Sequence, residues 1–308
     1  MNLRYTALLF LAVISALLFP RVVVADDQRA QAILKQARAA IGGEETLQSI
    51  QGLTVNGQYR RILGERELSG ERDLSLQLPD KYLIEDSFNQ GGLSTAIIAS
   101  KGLNGERAWN GSSGGGGGHM IIRMAGPGGQ QQATPEQLEA IFRKQYGQEL
   151  TRYLLAILLM PPSSIALEYA YAGESDVEDI HAEAIDVSGP DNFAARLFFD
   201  KQTHMPLLLS YRGRKPRIMT TFSRAAEGRS EEAIKKARED AEKKLATEGP
   251  AKPDEVDFFI RLTDYKKVNG LLLPHKLTFL TETEVSEEFS VSKYQLNPHF
   301  KSDKFQKQ

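Results

Sequence analysis

The stretch Arg72-Asp73-Leu74-Ser75-Leu76-Gln77-Leu78-Pro79-Asp80-Lys81-Tyr82-Leu83-Ile84-Glu85-Asp86-Ser87-Phe88 decides how this chain folds. Leu74, Leu76 and Leu78 alternate with Asp73, Ser75 and Gln77. A period of two puts the leucines on one face of a strand and the polar residues on the other. Pro79-Asp80 breaks the ladder, because proline fixes φ and donates no hydrogen bond. A second strand follows at Tyr82, Leu83, Ile84 and Glu85. The unit is a β-hairpin with one apolar face, and that face needs a cover: a helix layer, a partner or a lipid.

The same style runs outward in both directions. Leu53, Val55, Gly57 and Tyr59 alternate as a first strand. Ser94 to Ser100 reads as another, and Asn104-Gly105 is a tight-turn signal leading to Glu106–Trp109. Later strands are expected over Ile165–Tyr171, Asp179–Val187, Phe193–Asp200, Pro206–Arg212, Val256–Val268, Leu271–Thr281 and Val285–Tyr294. The expectation is about eleven strands in all.

Helices punctuate them. Asp26 to Ile41 carries Ala30, Ile33, Leu34, Ala37 and Ile41 at helical spacing, with Gly42-Gly43 as the stop. Thr134-Pro135-Glu136-Gln137 predicts a helix start with a capping box, the helix running to about Met160 before Pro161-Pro162. Its second half, Tyr153 to Met160, is apolar on every side and must be buried all round. A charged insertion at about 213–255 contains a helix from Ser230 with acid-first pairs such as Glu231–Lys235 at i,i+4. Gly111 to Gly118 reads as a flexible loop.

The first residues read as an export signal. Arg4 supplies a positive start, Tyr5 to Phe19 an apolar run, and Val23-Val24-Ala25 a cleavage point before Asp26. The run is shorter than the roughly 20 residues of a membrane span. Residues 26–308 are read as one domain. With no cysteine there is no lipid-acceptor thiol, no disulfide and no cysteine metal site. The 38 basic residues less Arg4 and Arg21 leave 36 against 40 acidic ones, a mature net charge of −4. So balanced a surface offers nothing to nucleic acid.

Catalytic signals are weak. Gly111-Ser112-Ser113-Gly114-Gly115 matches G-x-S-x-G, yet glycines follow where a nucleophile elbow needs a helix. The histidines (His119, His181, His204, His275, His299) show no i,i+4 pair and no H-E-x-x-H. His204 and His275, beside prolines, are expected at strand ends. Glu85-Asp86 and Glu282/Glu284 read as surface acids. No catalytic residue, metal ligand or cofactor site is assigned.

The order of several short patterns resembles the periplasmic lipoprotein-carrier superfamily, the LolA-like outer-membrane lipoprotein-sorting proteins. The patterns are a helix closed by Gly42-Gly43, a strand ending Leu78-Pro79 with the next at Tyr82, and a turn with an aromatic at Asn104–Trp109. After a leucine-rich middle helix come Asp200–Pro206, similar to a D-x-x-T-x-x-P core, and Asp264–Pro274, similar to a D-Y-x-x-V-x-G-x-x-x-P hairpin. The resemblance implies an α+β fold: one strongly curved antiparallel sheet, a half-open barrel, wrapped over helices around an apolar cavity. The implied function is binding or carriage of lipid or lipoprotein acyl chains in the periplasm. Val55, Tyr59, Leu74, Leu76, Tyr82, Ile84 and Trp109 would line the cavity, with Tyr153, Leu154, Ile157 and Leu158 in its lid. An inner-membrane donor, an outer-membrane acceptor and a monomeric state are expected with it. One departure is Leu78, where the carriers have an arginine that ties the lid shut. A sensor or regulatory module of the same fold is the second reading, and an exported hydrolase the third.

Overall fold

The structure is a computed structural model and describes residues 22–64, 66–88, 97–105, 107–113, 134–214 and 255–306. The expected export signal up to residue 21, the stretches 94–96 and 114–133, His119 and the expected insertion helix fall outside these residues.

Helices α1 (Val22–Ile41) and α2 (Glu44–Gln48) precede strands β1 (Gly52–Leu63), β2 (Arg66–Gln77), β3 (Lys81–Phe88), β4 (Ile97–Asn104) and β5 (Arg107–Ser113). The long helix α3 (Pro135–Leu158) leads to β6 (Glu168–Val177), β7 (Ile180–Gly189), β8 (Phe193–Asp200) and β9 (Pro206–Arg214). The chain ends with β10 (Glu255–Val268), β11 (Leu271–Thr281) and β12 (Glu284–Leu296). All twelve strands form one sheet in the order β5-β4-β3-β2-β1-β12-β11-β10-β9-β8-β7-β6. Every adjacent pair is antiparallel. Among the described residues the sheet does not close: β5 and β6 are its two edges, and α3 lies between them in the chain.

The local reasons are those the sequence offers. Thr134 Oγ1 accepts from Gln137 N at 3.3 Å and Gln137 Oε1 accepts from Thr134 N at 2.9 Å, a complete capping box. Asn269 and Gly270 both adopt positive φ, as the two-residue turn between β10 and β11 demands. Gly42 has φ 140°, and a Cβ there would come within 2.4 Å of the Leu271 side chain, so the chain leaves α1 through a residue only glycine suits.

The sheet bends around α3. Lys101 of β4 reaches Glu149 at 2.5 Å, and Arg152, one helical turn on, lies over the Tyr211 ring of β9 at 3.9 Å. Strands β4 and β9 are seven steps apart in the order, about 34 Å in a flat sheet. One helical turn touches both, so the sheet curls and α3 runs through its concave side. The α1 stripe Ala30, Ile33, Leu34, Ala37 and Ile41 is buried in the same core. Arg38 Nε donates to the Leu159 carbonyl at 3.0 Å and so ties α1 to the end of α3.

Several expectations are corrected. Helix α1 begins at Val22, upstream of Asp26, because Val22–Ala25 extends the same helical run. Gly111–Ser113 is strand, paired with β4 from Gly111↔Ser100 to Ser113↔Ile98. There a neighbouring strand supplies the ladder that composition alone does not reveal. His275 is not at a strand end. It is buried within β11, its Nδ1 3.0 Å from the Leu273 carbonyl and its ring edge-on to Tyr294.

Candidate binding interior

Register assigns each inward side chain. Leu53, Val55 and Tyr59 on β1 stand opposite Leu76, Leu74 and Gly70 on β2, and Leu74 and Leu76 stand opposite Ile84 and Tyr82 on β3. Beyond them, Leu103 of β4 pairs with Ala108 of β5. On the other side Tyr59 faces Phe289, which faces Leu277, then Leu262. This face meets the second half of α3. Tyr153 packs its ring 6.3 Å from Tyr82 and 6.2 Å from Phe279. Tyr153, Leu154, Ile157 and Leu158 are all at most 3 % exposed, as are Val55, Tyr59, Leu74, Leu76, Tyr82 and Ile84. Nine of the eleven residues singled out in the sequence share one apolar cluster, and Tyr59 is buried beside it with its ring 5.8 Å from Phe88.

Trp109 does not join them. Its cross-strand partner is Gly102, which faces Leu83, so all three lie on the opposite, convex face. The indole lies flat over Gly102, where a Cβ would come within 2.6 Å of the ring. Alternation explains the difference: Ala108, not Trp109, carries the inward parity of β5.

The concave wall is covered by the chain's own side chains in this conformation. The two best-formed clefts among the described residues are shallow and superficial. One is lined by Gln58, Tyr59, Arg60, Ser69, Glu288 and Ser290, the other by Asp179, Ile180, His181, Asp200, Lys201 and Gln202. Neither lies between α3 and the apolar wall.

Sequence reasoning missed a charged row at one end of the interior. Arg72 is 1 % exposed and stands directly opposite Asp86. Arg72 Nε donates to Asp86 Oδ1 at 2.6 Å and Nη2 to Oδ2 at 2.7 Å, a two-pronged pair. Arg72 Nη1 adds Glu287 at 3.3 Å, and Arg61 Nη2 reaches the same Glu287 at 2.6 Å. The Arg72 guanidinium also sits 3.7 Å from the Tyr59 ring centroid. Burial alone would lower the Arg72 pKa, but Asp86 and Tyr59 together more than offset it, and the guanidinium is held well above its ordinary value. Burial alone would likewise raise the Glu287 carboxyl, but Arg61 and then Arg72 hold it down at about 2. The row is net neutral, two cations against two anions, and it links β1, β2, β3 and β12 beneath α3.

The described residues hold no cluster of three or more histidines, aspartates or glutamates arranged for a metal ion. No described helix is long and apolar enough to cross a membrane.

No protein-family model matches the chain, and no curated protein matches it. Solved structures do. A domain named for outer membrane lipoprotein sorting, from Vibrio parahaemolyticus, aligns at TM-score 0.43 and 9 % identity, covering 91 % of this chain and 97 % of that one. A LolA superfamily protein from Nitrosomonas europaea aligns at 0.42 and 10 %, covering 90 % and 97 %. A DUF1329 family protein from Desulfovibrio piger aligns at 0.42 and 10 %, covering 90 % and 96 %.

Proposed function

We propose that this protein is an exported, periplasmic carrier of acyl chains from lipid or lipoprotein. The curved sheet supplies the wall, and the second half of α3 is the element that a chain displaces. The observation that carries this reading is the meeting of an apolar helix segment, Tyr153–Leu158, with a concave apolar sheet face. A saturated chain matches both surfaces chemically. Each buried CH₂ contributes about 0.8 kcal/mol, so a chain of ten or so methylenes can offset the contacts it replaces. The outer half of α3 is less committed: Leu138 and Ile141 are exposed, and Glu139 makes an exposed pair with Arg107 at 3.0 Å. The export reading rests on Arg4 and the apolar run Tyr5–Phe19.

Native mass spectrometry of gently purified protein, with titration of a fluorescent fatty acid, tests the carrier. Co-purified lipid and saturable uptake are expected. Lipid-free protein that takes up no fatty acid contradicts it.

One observation favours a second reading. The interior is filled by α1 and α3, which suits a sensor module that signals through its surface. Crosslinking that recovers an inner-membrane regulator, and neither lipoprotein nor outer-membrane acceptor, selects that reading.

A further inference from the structure

Arg152 is a partly buried guanidinium with no ion pair among the described residues. It stands on α3 immediately before the apolar segment. Its Cζ lies 3.9 Å from the Tyr211 ring centroid and 5.7 Å from that of Phe193. Tyr211 is itself stacked on Phe258, with ring centroids 5.2 Å apart and planes 14° apart. One hydrogen bond holds the head: Nη2 donates to Gln148 Oε1 at 3.3 Å. Nε is buried and has no hydrogen-bond partner among the described residues.

The contrast with its neighbours is informative. Arg72, buried, and Arg61, partly buried like Arg152, each hold a carboxylate at 2.6 Å. The acid nearest Arg152 along the helix is Glu149, and that carboxylate is engaged by Lys101 at 2.5 Å. Drawing a cation away from water without an ion-pair partner is unfavourable. Burial accordingly lowers the Arg152 pKa, with Tyr211 and Glu149 only partly offsetting it. A planar fork of N–H donors over an aromatic shelf is suited to a planar or tetrahedral oxyanion bound through two oxygens.

We propose that Arg152 receives the anionic head group, a carboxylate or a phosphate, of the amphiphile whose chain enters the concave interior. This rests on the carrier reading and names the ligand class of that same site. The rings of Tyr211 and Phe193 would flank the first methylenes, and Tyr153 and Ile157, further along α3, would meet the rest of the chain.

The test is competition for a fluorescent fatty acid by dodecanoate, dodecyl phosphate and dodecanol, on the intact protein and on Arg152→Met and Arg152→Lys. Thermal melts exclude unfolding as the cause of any loss. The wild type is expected to prefer the anions over dodecanol at least tenfold. Arg152→Met is expected to lose that preference while binding dodecanol as before, and Arg152→Lys to retain part of it. Stronger binding of dodecanoate or of dodecyl phosphate assigns carboxylate or phosphate as the natural head. Equal anion preference in wild type and Arg152→Met overturns the head-group assignment and leaves the carrier standing. Absence of binding by all three amphiphiles overturns the carrier and the inference with it.

Discussion

Arg72 and Asp86 exchange two short hydrogen bonds in a nearly water-free place. Removing one partner of such a pair leaves the other charge uncompensated, which costs about 3–5 kcal/mol. Arg72→Met is therefore expected to lower unfolding free energy by that amount in urea titrations. The double change Arg72→Met/Asp86→Leu should recover most of the loss, because an apolar pair of similar volume suffers no desolvation. Glu287 gives a pH signature. Its folded pKa, about 2, lies below its ordinary 4.5, so it stabilises the fold above pH 4.5 and loses that contribution as pH falls toward 2. The difference is worth roughly 3 kcal/mol, less what solvent screens from a side chain 21 % exposed. Melts of Glu287→Gln between pH 7 and 2 should show a shallower acid limb than the wild type. These charges were legible in part. Arg72 has the parity of Leu74 and Leu76, and Asp86 that of Tyr82 and Ile84. Reading acids as surface residues hid them, because pairing across strands depends on register that one strand's sequence does not contain.

Among the elements, α3 links the two sheet edges and fills the space between them. Lys101 and Glu149 hold its middle to β4. Lys101→Ala is expected to speed fatty-acid uptake in stopped-flow fluorescence at nearly unchanged stability, since a partly exposed pair contributes about 1 kcal/mol or less. An unchanged uptake rate would show that α3 does not need to leave β4. Ile157, 2 % exposed, lies within the apolar core. Ile157→Asp is expected to lower the melting temperature or abolish uptake, and a variant unchanged in both would contradict the assigned role of the segment. At this scale the sequence was most informative. The capping box and the α1 stripe are local chemistry and fold as read. Gly111–Ser113 was read as loop because its strand character comes from β4, not from its own residues.

For the whole molecule, twelve antiparallel strands bend so far that β4 and β9 meet one turn of α3. Period-two alternation predicts an apolar face, but it does not say how much of that face the chain's own helices cover. That depends on helix placement across a curved sheet, a long-range property. On the proposed carrier reading, a hydrocarbon chain takes the place of Tyr153–Leu158 against the wall. NMR of methyl-labelled protein with dodecanoate tests this most directly. Intermolecular NOEs from the chain to the methyls of Val55, Leu74 and Leu76 are predicted. At saturating dodecanoate, contacts confined to surface methyls, with those three silent, would contradict it.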